Sequence, residues 1–190
     1  MKNKILYISS ICLLMFACTG EPDFSNIPEI SFNSVKILTT QKQSSLGTTK
    51  KDSVILTINF QDGDGDLGFS EDDFKSLVKT QGDSVQTFDV KIFVSKNGKF
   101  IRSYPKEKIG GNLKGGIIKD NTDVRFRKGS KSGPIEGTVD FGTKFEYGIF
   151  QGIPYLTGKN DTVKFSIQIM DRALNRSNVV ETTPVVIYAK

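Results

Sequence analysis

The stretch VILTINFQDGDGDLG, residues 54–68, runs an alternating segment directly into an acidic loop that is rich in glycine. Apolar side chains occupy every second position, so one face of an extended chain would be buried and the other would be exposed to solvent. These side chains are Val54, Leu56, Ile58 and Phe60. The sequence therefore predicts a β-strand that ends where the acidic residues begin.

Two further segments, Phe88–Val94 and Val163–Ile169, alternate in the same way. The first of them leads into Asn97-Gly98, a dipeptide that favours a tight hairpin turn because both residues tolerate a positive φ. Phe100–Tyr104 is then the predicted return strand.

Weaker patterns complete the predicted secondary structure. Ser70–Val78 is the one helical candidate, with Ser70 as its N-cap. Many short strands, frequent glycine and little helix favour an all-β, antiparallel immunoglobulin-like β-sandwich, with a closed β-barrel as the alternative. The weaker strands are Ile30–Leu38, Ile117–Ile118, Ile135–Phe141 and Val179–Tyr188, the last interrupted near Pro184 because proline cannot donate to a sheet ladder.

The N-terminus predicts export and lipidation. Lys2 and Lys4 precede an apolar run that is too short to span a bilayer but suits a signal peptide over residues 1–17. The run ends at Ala17-Cys18, which resembles a lipobox, so Cys18 is the predicted lipidation site. Residues 18–28 predict a polar lipidated tether, and residues 29–190 a single β-sandwich domain of ordinary size.

Composition excludes several function classes. The chain contains no histidine, which removes histidine-based catalytic triads and histidine metal sites. Its formal charge is +5, but the signal lysines contribute two of these units, and nucleic acid is not an expected partner. The expected partner is instead the membrane, through acyl chains on Cys18 that contribute about 0.8 kcal/mol for each buried methylene.

The loop after the first strand predicts a calcium site. Asp62, Asp64 and Asp66 stand at alternate positions with glycines between them, so their carboxylates can curl round one cation. Calcium prefers six to eight hard oxygen ligands. The loop is not an EF-hand, because Leu67 takes the place of that motif's glycine and a strand precedes it. The alternative is a solvated Asp-Gly turn.

A second motif, Asp171 to Asn178, follows the strand Val163–Ile169. If loops from distant strands meet at one end of the sandwich, Asp171 or Asn175 could complete the oxygen shell begun by the first loop. The alternative is a local turn that Asp171 caps with its own side chain.

The two motifs together resemble a group of uncharacterised lipoproteins common in the Bacteroidetes. Those chains begin with a lipobox and continue with a Pro-Glu-Ile segment, here Pro28-Glu29-Ile30. A strand then runs into Phe-x-Asp-Gly-Asp-Gly-Asp-Leu-Gly, here Phe60 to Gly68, and an Asp-Arg-Ala-x-Asn-x-Ser-Asn segment follows near the end. The resemblance implies architecture and location in the cell envelope, and no reaction.

Two classes of function remain. The first is a non-enzymatic binding or structural module in the cell envelope, lipid-anchored at the outer membrane on its periplasmic face or at the cell surface, whose partner is a glycan or an envelope protein. Aromatic residues in the stretch Gly142–Gly158 could stack on sugar rings or pack in the core. The alternative class is a metal-assisted hydrolase that uses the acidic loop.

Overall fold

The computed structural model describes residues 20–45, 47–69, 71–81, 87–103, 133–147 and 154–189. The predicted signal peptide, Cys18, Ser70 and the predicted strand Ile117–Ile118 lie outside these ranges. Within them, eight strands and one helix occur in chain order. They are β1 (Glu29–Ser44), β2 (Gly47–Asp62), α1 (Glu71–Gln81), β3 (Phe88–Lys96), β4 (Lys99–Ser103), β5 (Ile135–Glu146), β6 (Asp161–Ile169), β7 (Val180–Glu181) and β8 (Val185–Ile187).

The described strands form two antiparallel sheets, which confirms the predicted all-β sandwich. The first sheet has the order β1-β2-β5. The second has the order β4-β3-β6-β7, and β8 also pairs with β6 beyond the end of β7. These strands make two open sheets rather than one closed barrel.

Apolar side chains from the two sheets meet in one core. Val54, Leu56 and Ile58 of β2 have no solvent exposure, as the period-two pattern predicts. Across the core, the rings of Phe88 and Phe141 stack with their centroids 5.5 Å apart. Each such side chain contributes roughly 1.5–3 kcal/mol when it leaves water, so the alternating strands supply the main stabilisation.

The predicted Asn97-Gly98 hairpin is confirmed, and the β1–β2 strand pair is longer than expected. Asn97 and Gly98 have φ values of 50° and 74° and join β3 to β4. β1 and β2 pair along a ladder that reaches Ser44 and Gly47, whereas β5 pairs with β2 only from Lys51 onward. The last residue pairs of the β1–β2 hairpin therefore extend past the paired part of β5.

A buried carboxylate fastens the C-terminal strand at the hairpin end of the sandwich. Asp52, 1% exposed, accepts hydrogen bonds from Thr39 Oγ1 at 2.7 Å, from the backbone N–H of Tyr188 at 2.7 Å and from the Tyr147 hydroxyl at 3.1 Å. Burial and this hydrogen bond to Asp52 raise the pKa of Tyr147 to about 12, so its hydroxyl remains a donor. One side chain thus connects β1, β2 and the end of the chain.

The helix packs beside the acidic loop. Leu77 of α1 joins Phe69 and Met170 in a small cluster apart from the main core. This cluster places α1 against the segment that leads out of the loop and against the end of β6.

Candidate metal centre

The acidic loop begins inside the protein. Asp62 is the last residue of β2 and continues the buried face of that strand, so its side chain has no solvent exposure. One of its oxygens, Oδ2, accepts a hydrogen bond from the backbone N–H of Leu67 at 3.2 Å, and the Leu67 side chain is itself fully buried. The loop is therefore folded back over its first carboxylate.

Three carboxylates converge in this loop. Asp62, Asp64 and Asp66 each offer an oxygen, and these oxygens lie within 4.8 Å of one another. The Oδ1 atoms of all three are inaccessible to solvent, and those of Asp62 and Asp66 accept no hydrogen bond from the described residues. Buried carboxylate oxygens are costly without a partner, and a cation among them could supply that partner.

Burial and mutual repulsion change the acidity of the group. Burial, followed by the nearby charge of Asp64, raises the pKa of Asp62 from 3.8 to about 6. Burial also raises the pKa of Asp66, with further contributions from Asp171 and Asp64. Both shifts mean that the protein disfavours the bare negative charges at these positions, and a bound cation would reverse that preference.

Two glycines allow other backbone segments to approach the loop closely. A Cβ atom on Gly63 would overlap the carbonyl oxygen of Phe24 and lie 2.9 Å from Asn26 Oδ1. Gly65 has a φ of 69°, and a Cβ atom there would overlap the carbonyl oxygen of Gly133. Larger residues at these positions would displace the neighbouring chain, so both glycines are needed for the packing of this end of the sandwich.

The second motif, Asp171 to Asn178, contacts the acidic loop. The Asp66 carbonyl oxygen accepts a hydrogen bond from Arg172 Nε at 2.9 Å, and Asp66 Oδ2 accepts one from the backbone N–H of Ala173 at 3.0 Å. Asp171 is fully buried and binds its own turn. Its two oxygens accept hydrogen bonds from the backbone N–H and the Nδ2 of Asn175 at 2.7 and 2.9 Å.

Both interpretations of the second motif therefore have support. The loops are in contact, but the group of convergent carboxylates among the described residues contains only Asp62, Asp64 and Asp66. Asp171 acts on this group through its charge, which raises the pKa of Asp66. Direct ligation by Asp171 or Asn175 stays a prediction.

The donor set suits a hard cation. Carboxylate oxygens bind calcium or magnesium, and the flexible ligand geometry of calcium fits a short loop of alternating residues better than the strict octahedron of magnesium. In a calcium complex, the carboxylates of Asp62, Asp64 and Asp66 would more than offset the charge of the ion, and backbone oxygens or water would complete its shell.

The aromatic residues proposed for sugar stacking are mostly structural. Phe145 is fully buried and packs against Phe165 at 6.5 Å between ring centroids. Tyr147 contacts Tyr188 edge to face and bonds to Asp52. Tyr155 is 47% exposed, and Phe150 lies outside the described residues.

The sequence patterns did not reveal a cleft of about 530 Å³ on the outer face of the β1-β2-β5 sheet. Its polar groups come from exposed positions of the three strands, and the strand register was needed to bring them together. The residues along it are Glu29, Ile30, Ser31, Asn59, Phe60, Gln61, Glu136, Gly137 and Thr138.

No known protein family, no curated protein and no solved structure matches this chain. In the part of the chain that the structure describes, no helix has both the length and the apolar character needed to cross a membrane.

Proposed function

We propose that this chain is a non-enzymatic lipoprotein of the cell envelope, a β-sandwich lipid-anchored through Cys18 whose Asp62–Asp66 loop holds a structural calcium ion. Two observations carry the calcium site. Three carboxylates converge, each with an oxygen within 4.8 Å of the others. The Oδ1 atoms of Asp62 and Asp66 are inaccessible to solvent and have no hydrogen-bond donor among the described residues. A cation between the carboxylates would supply a partner for these buried oxygens.

A structural ion fits this loop better than a catalytic one. A catalytic metal keeps a coordination position open to substrate or to an attacking water. Here the Oδ1 atom of each aspartate is inaccessible to solvent, and the loop packs against the backbone near Phe24. This shielding favours a structural ion over the hydrolase alternative.

Melting curves test the calcium site. Extracellular calcium modules bind at roughly 10⁻⁴ to 10⁻³ M, and at about twenty times the dissociation constant the ion would add roughly 1.8 kcal/mol to the free energy of unfolding. For a domain of this size that is a rise of roughly 4–7 °C in melting temperature. Asp64→Asn should remove most of the rise. Equal melting temperatures in calcium, magnesium and chelator would overturn the site.

The lipid anchor needs its own test. Mass spectrometry of the mature N-terminus should find acyl chains on Cys18, and Cys18→Ala should move the protein from the membrane fraction to the soluble fraction or leave it unprocessed. A mature N-terminus without acyl mass would contradict the lipoprotein proposal. Protease treatment of intact cells would then distinguish the periplasmic face from the cell surface.

The cleft on the β1-β2-β5 sheet supports a binding role with a glycan as partner. Hydroxyl, amide and carboxylate groups line it, and these groups form the hydrogen bonds by which proteins hold sugar hydroxyls. We expect calorimetry to detect binding of an envelope glycan, and the double variant Asn59→Ala and Thr138→Ala to weaken it. Val186→Ala, on the exposed face of the other sheet, is the matched control. Equal binding by both variants would contradict this assignment.

A further inference from the structure

The segment that enters the sandwich lies directly on the acidic loop. We call residues 23–28 the entry segment, because they lead from the predicted tether into β1. The backbone N–H of Gly63 donates a hydrogen bond to the carbonyl oxygen of Ser25 at 2.8 Å. The Phe24 carbonyl and Asn26 Oδ1 occupy the space that a side chain on Gly63 would fill. A backbone hydrogen bond and a close steric fit therefore join the entry segment to the loop.

The entry segment has little else to hold it among the described residues. Phe24 is half-buried and Pro28 is buried, but Asp23, Ser25, Asn26 and Ile27 are exposed, with Ile27 at 55%. The backbone N–H of Ile27 bonds within the segment, to Ser25 Oγ at 3.0 Å. Exposed segments with few apolar contacts open at low cost in free energy, so the position of this segment depends on the surface that Gly63 presents.

The surface at Gly63 is formed by the acidic loop, so it keeps its shape only while the loop does. Gly63 lies between Asp62 and Asp64, whose carboxylates converge with that of Asp66. Charges of one sign at such separations repel one another strongly where water is excluded. A cation would remove the repulsion and hold the loop in the shape that fits the entry segment, whereas loss of the cation would let the loop open.

We propose that calcium in the Asp62–Asp66 loop clamps the entry segment onto the sandwich, and that removal of calcium releases it. This inference rests on the calcium site proposed above. The clamp would set the reach of the tether. A tether from Cys18 to Phe24 spans at most about 20 Å, whereas a released tether from Cys18 to Glu29 spans at most about 38 Å. Calcium would thus hold the sandwich close to its anchor.

Hydrogen exchange on the purified, lipidated protein in detergent micelles tests the clamp. In calcium, we expect slow exchange in a peptide covering residues 20–28 and at the Gly63 amide, whose acceptor is Ser25. In calcium-free buffer with chelator, both should exchange at least tenfold faster, since the acceptor leaves with the segment. Amides in the part of β3 that leads into the Asn97-Gly98 turn and pairs with β4 are the internal control and should change little.

A variant of the entry segment separates the clamp from the ion. Phe24→Gly removes the half-buried aromatic side chain of this segment and adds backbone freedom, and it lies outside the acidic loop. It should speed exchange in residues 20–28 even in calcium, while calorimetry still detects calcium binding within about threefold of the wild-type affinity. Ile27→Ala, which shortens an exposed side chain of the same segment, is the matched control and should behave as wild type.

The two proposals fail in different ways. If calcium raises the melting temperature but leaves exchange in residues 20–28 unchanged, the site stands and the clamp is overturned. If neither calorimetry nor melting responds to calcium, the site and the clamp are both overturned. The clamp would be established if the wild type exchanges fast in residues 20–28 only in chelator, and if Phe24→Gly exchanges fast there in calcium while it still binds the ion.

Discussion

Asp62 is at once the last residue of a core strand and a member of a carboxylate group. The alternation of β2 directs its side chain inward, as it directs Phe60 and Ile58 before it, so the chain places a charge where an apolar residue would be expected. A buried charge destabilises a protein unless it is paired. Asp62 is therefore the residue at which the calcium proposal can be tested most directly.

Substitution of Asp62 by asparagine should have opposite effects with and without calcium. Asp62→Asn removes a charge that burial disfavours but keeps an oxygen to accept the bond from Leu67, so the calcium-free protein should gain about 1 kcal/mol in free energy of unfolding. The stabilisation by calcium should disappear. Chemical denaturation in calcium and in chelator measures both effects.

The control for this substitution is Asp140→Asn. Asp140 is exposed on β5, where it accepts a hydrogen bond from Thr57 Oγ1. Its replacement should leave the calcium response unchanged. A loss of stability in calcium-free Asp62→Asn would contradict the view that the Asp62 charge is unpaired there.

The contribution of Asp62 to stability should depend on pH in opposite directions without and with calcium. In calcium-free buffer the folded chain binds the Asp62 proton more tightly than the unfolded chain does, because burial raises the pKa of this carboxyl from 3.8 to about 6. The stabilisation that the proton provides is complete below pH 3.8 and is lost as the pH rises through about 6. Asp62 should therefore contribute less to the free energy of unfolding of the calcium-free protein at neutral pH than it does in acid.

With calcium, the ionised carboxylate is the binding form. The rise in melting temperature on addition of calcium should therefore be large at about pH 7.5 and small at about pH 5, because protons compete with the ion. Differential scanning calorimetry across this range measures the rise. An unchanged calcium effect at both pH values would exclude Asp62 as a ligand.

At the scale of secondary structure, one side chain closes the open edge of the first sheet. Asn178 Oδ1 accepts a hydrogen bond from the backbone N–H of Ile30 at 2.8 Å, and Asn178 Nδ2 donates one to the carbonyl oxygen of the same residue at 2.8 Å. The amide thus imitates a neighbouring strand for β1. Asn178 belongs to the same C-terminal motif as Asp171, so that motif serves both the loop and the sheet.

Removal of this amide should leave two backbone groups of β1 without partners. Ile30 is 3% exposed, so water cannot easily replace the lost bonds. We expect Asn178→Ala to lower the free energy of unfolding by about 1–3 kcal/mol. Asn33→Ala, which removes an exposed amide from the same strand, should cost much less. Urea denaturation measures both, and equal costs would contradict the bridging role.

The strands with alternating apolar and polar residues could be predicted from the sequence. β2, β3, β6 and the Asn97-Gly98 turn follow from local pattern alone, as does the break in the last strand at Thr182–Pro184. The outer part of the β1–β2 hairpin could not be predicted, because its Thr, Gln and Lys residues carry no alternation. Its strands are specified by pairing with each other, and pairing is not a local property.

The same distinction applies to the candidate site. The spacing of Asp62, Asp64 and Asp66 predicted a convergent group because alternate residues of a tight loop can face one point. The contact of Gly63 with Phe24 could not be predicted, since it depends on where residues far apart in sequence come to lie. Whether Asp171 ligates the ion or caps its own turn also depends on the distance between Asp171 and the acidic loop, which local sequence patterns do not predict.

At the scale of the whole molecule, the two buried aspartates of β2 lie towards opposite ends of that strand. Asp52 lies at the hairpin end and bonds to the last residues of the chain, and Asp62 lies at the end where the entry segment arrives. The first is satisfied by hydrogen-bond donors, while the second has an oxygen without one among the described residues. The sandwich is therefore closed by protein groups at one end and, in our proposal, by an ion at the other.

The end closed by Asp52 should be insensitive to calcium. The two oxygens of Asp52 accept hydrogen bonds from Thr39, Tyr147 and the Tyr188 N–H. Asp52→Asn replaces one of these oxygens with an NH2 donor, which should lower the free energy of unfolding by about 1–3 kcal/mol. The increment from calcium should stay at its wild-type size, since distant sites contribute additively. Melting curves of wild type and Asp52→Asn, each with and without calcium, measure this. A calcium increment that shrinks in the variant would show that the two ends are coupled.

The length of β1 has a consequence for immunological detection. Sixteen residues of extended chain place Ser44 about 50 Å from Glu29. For a protein held at Cys18, the hairpin then lies at the opposite end of β1 from the tether, where an antibody could reach it. A short epitope inserted between Ser44 and Gly47 would stand clear of the bilayer and of the core, and would report on intact cells which side of the envelope the sandwich occupies.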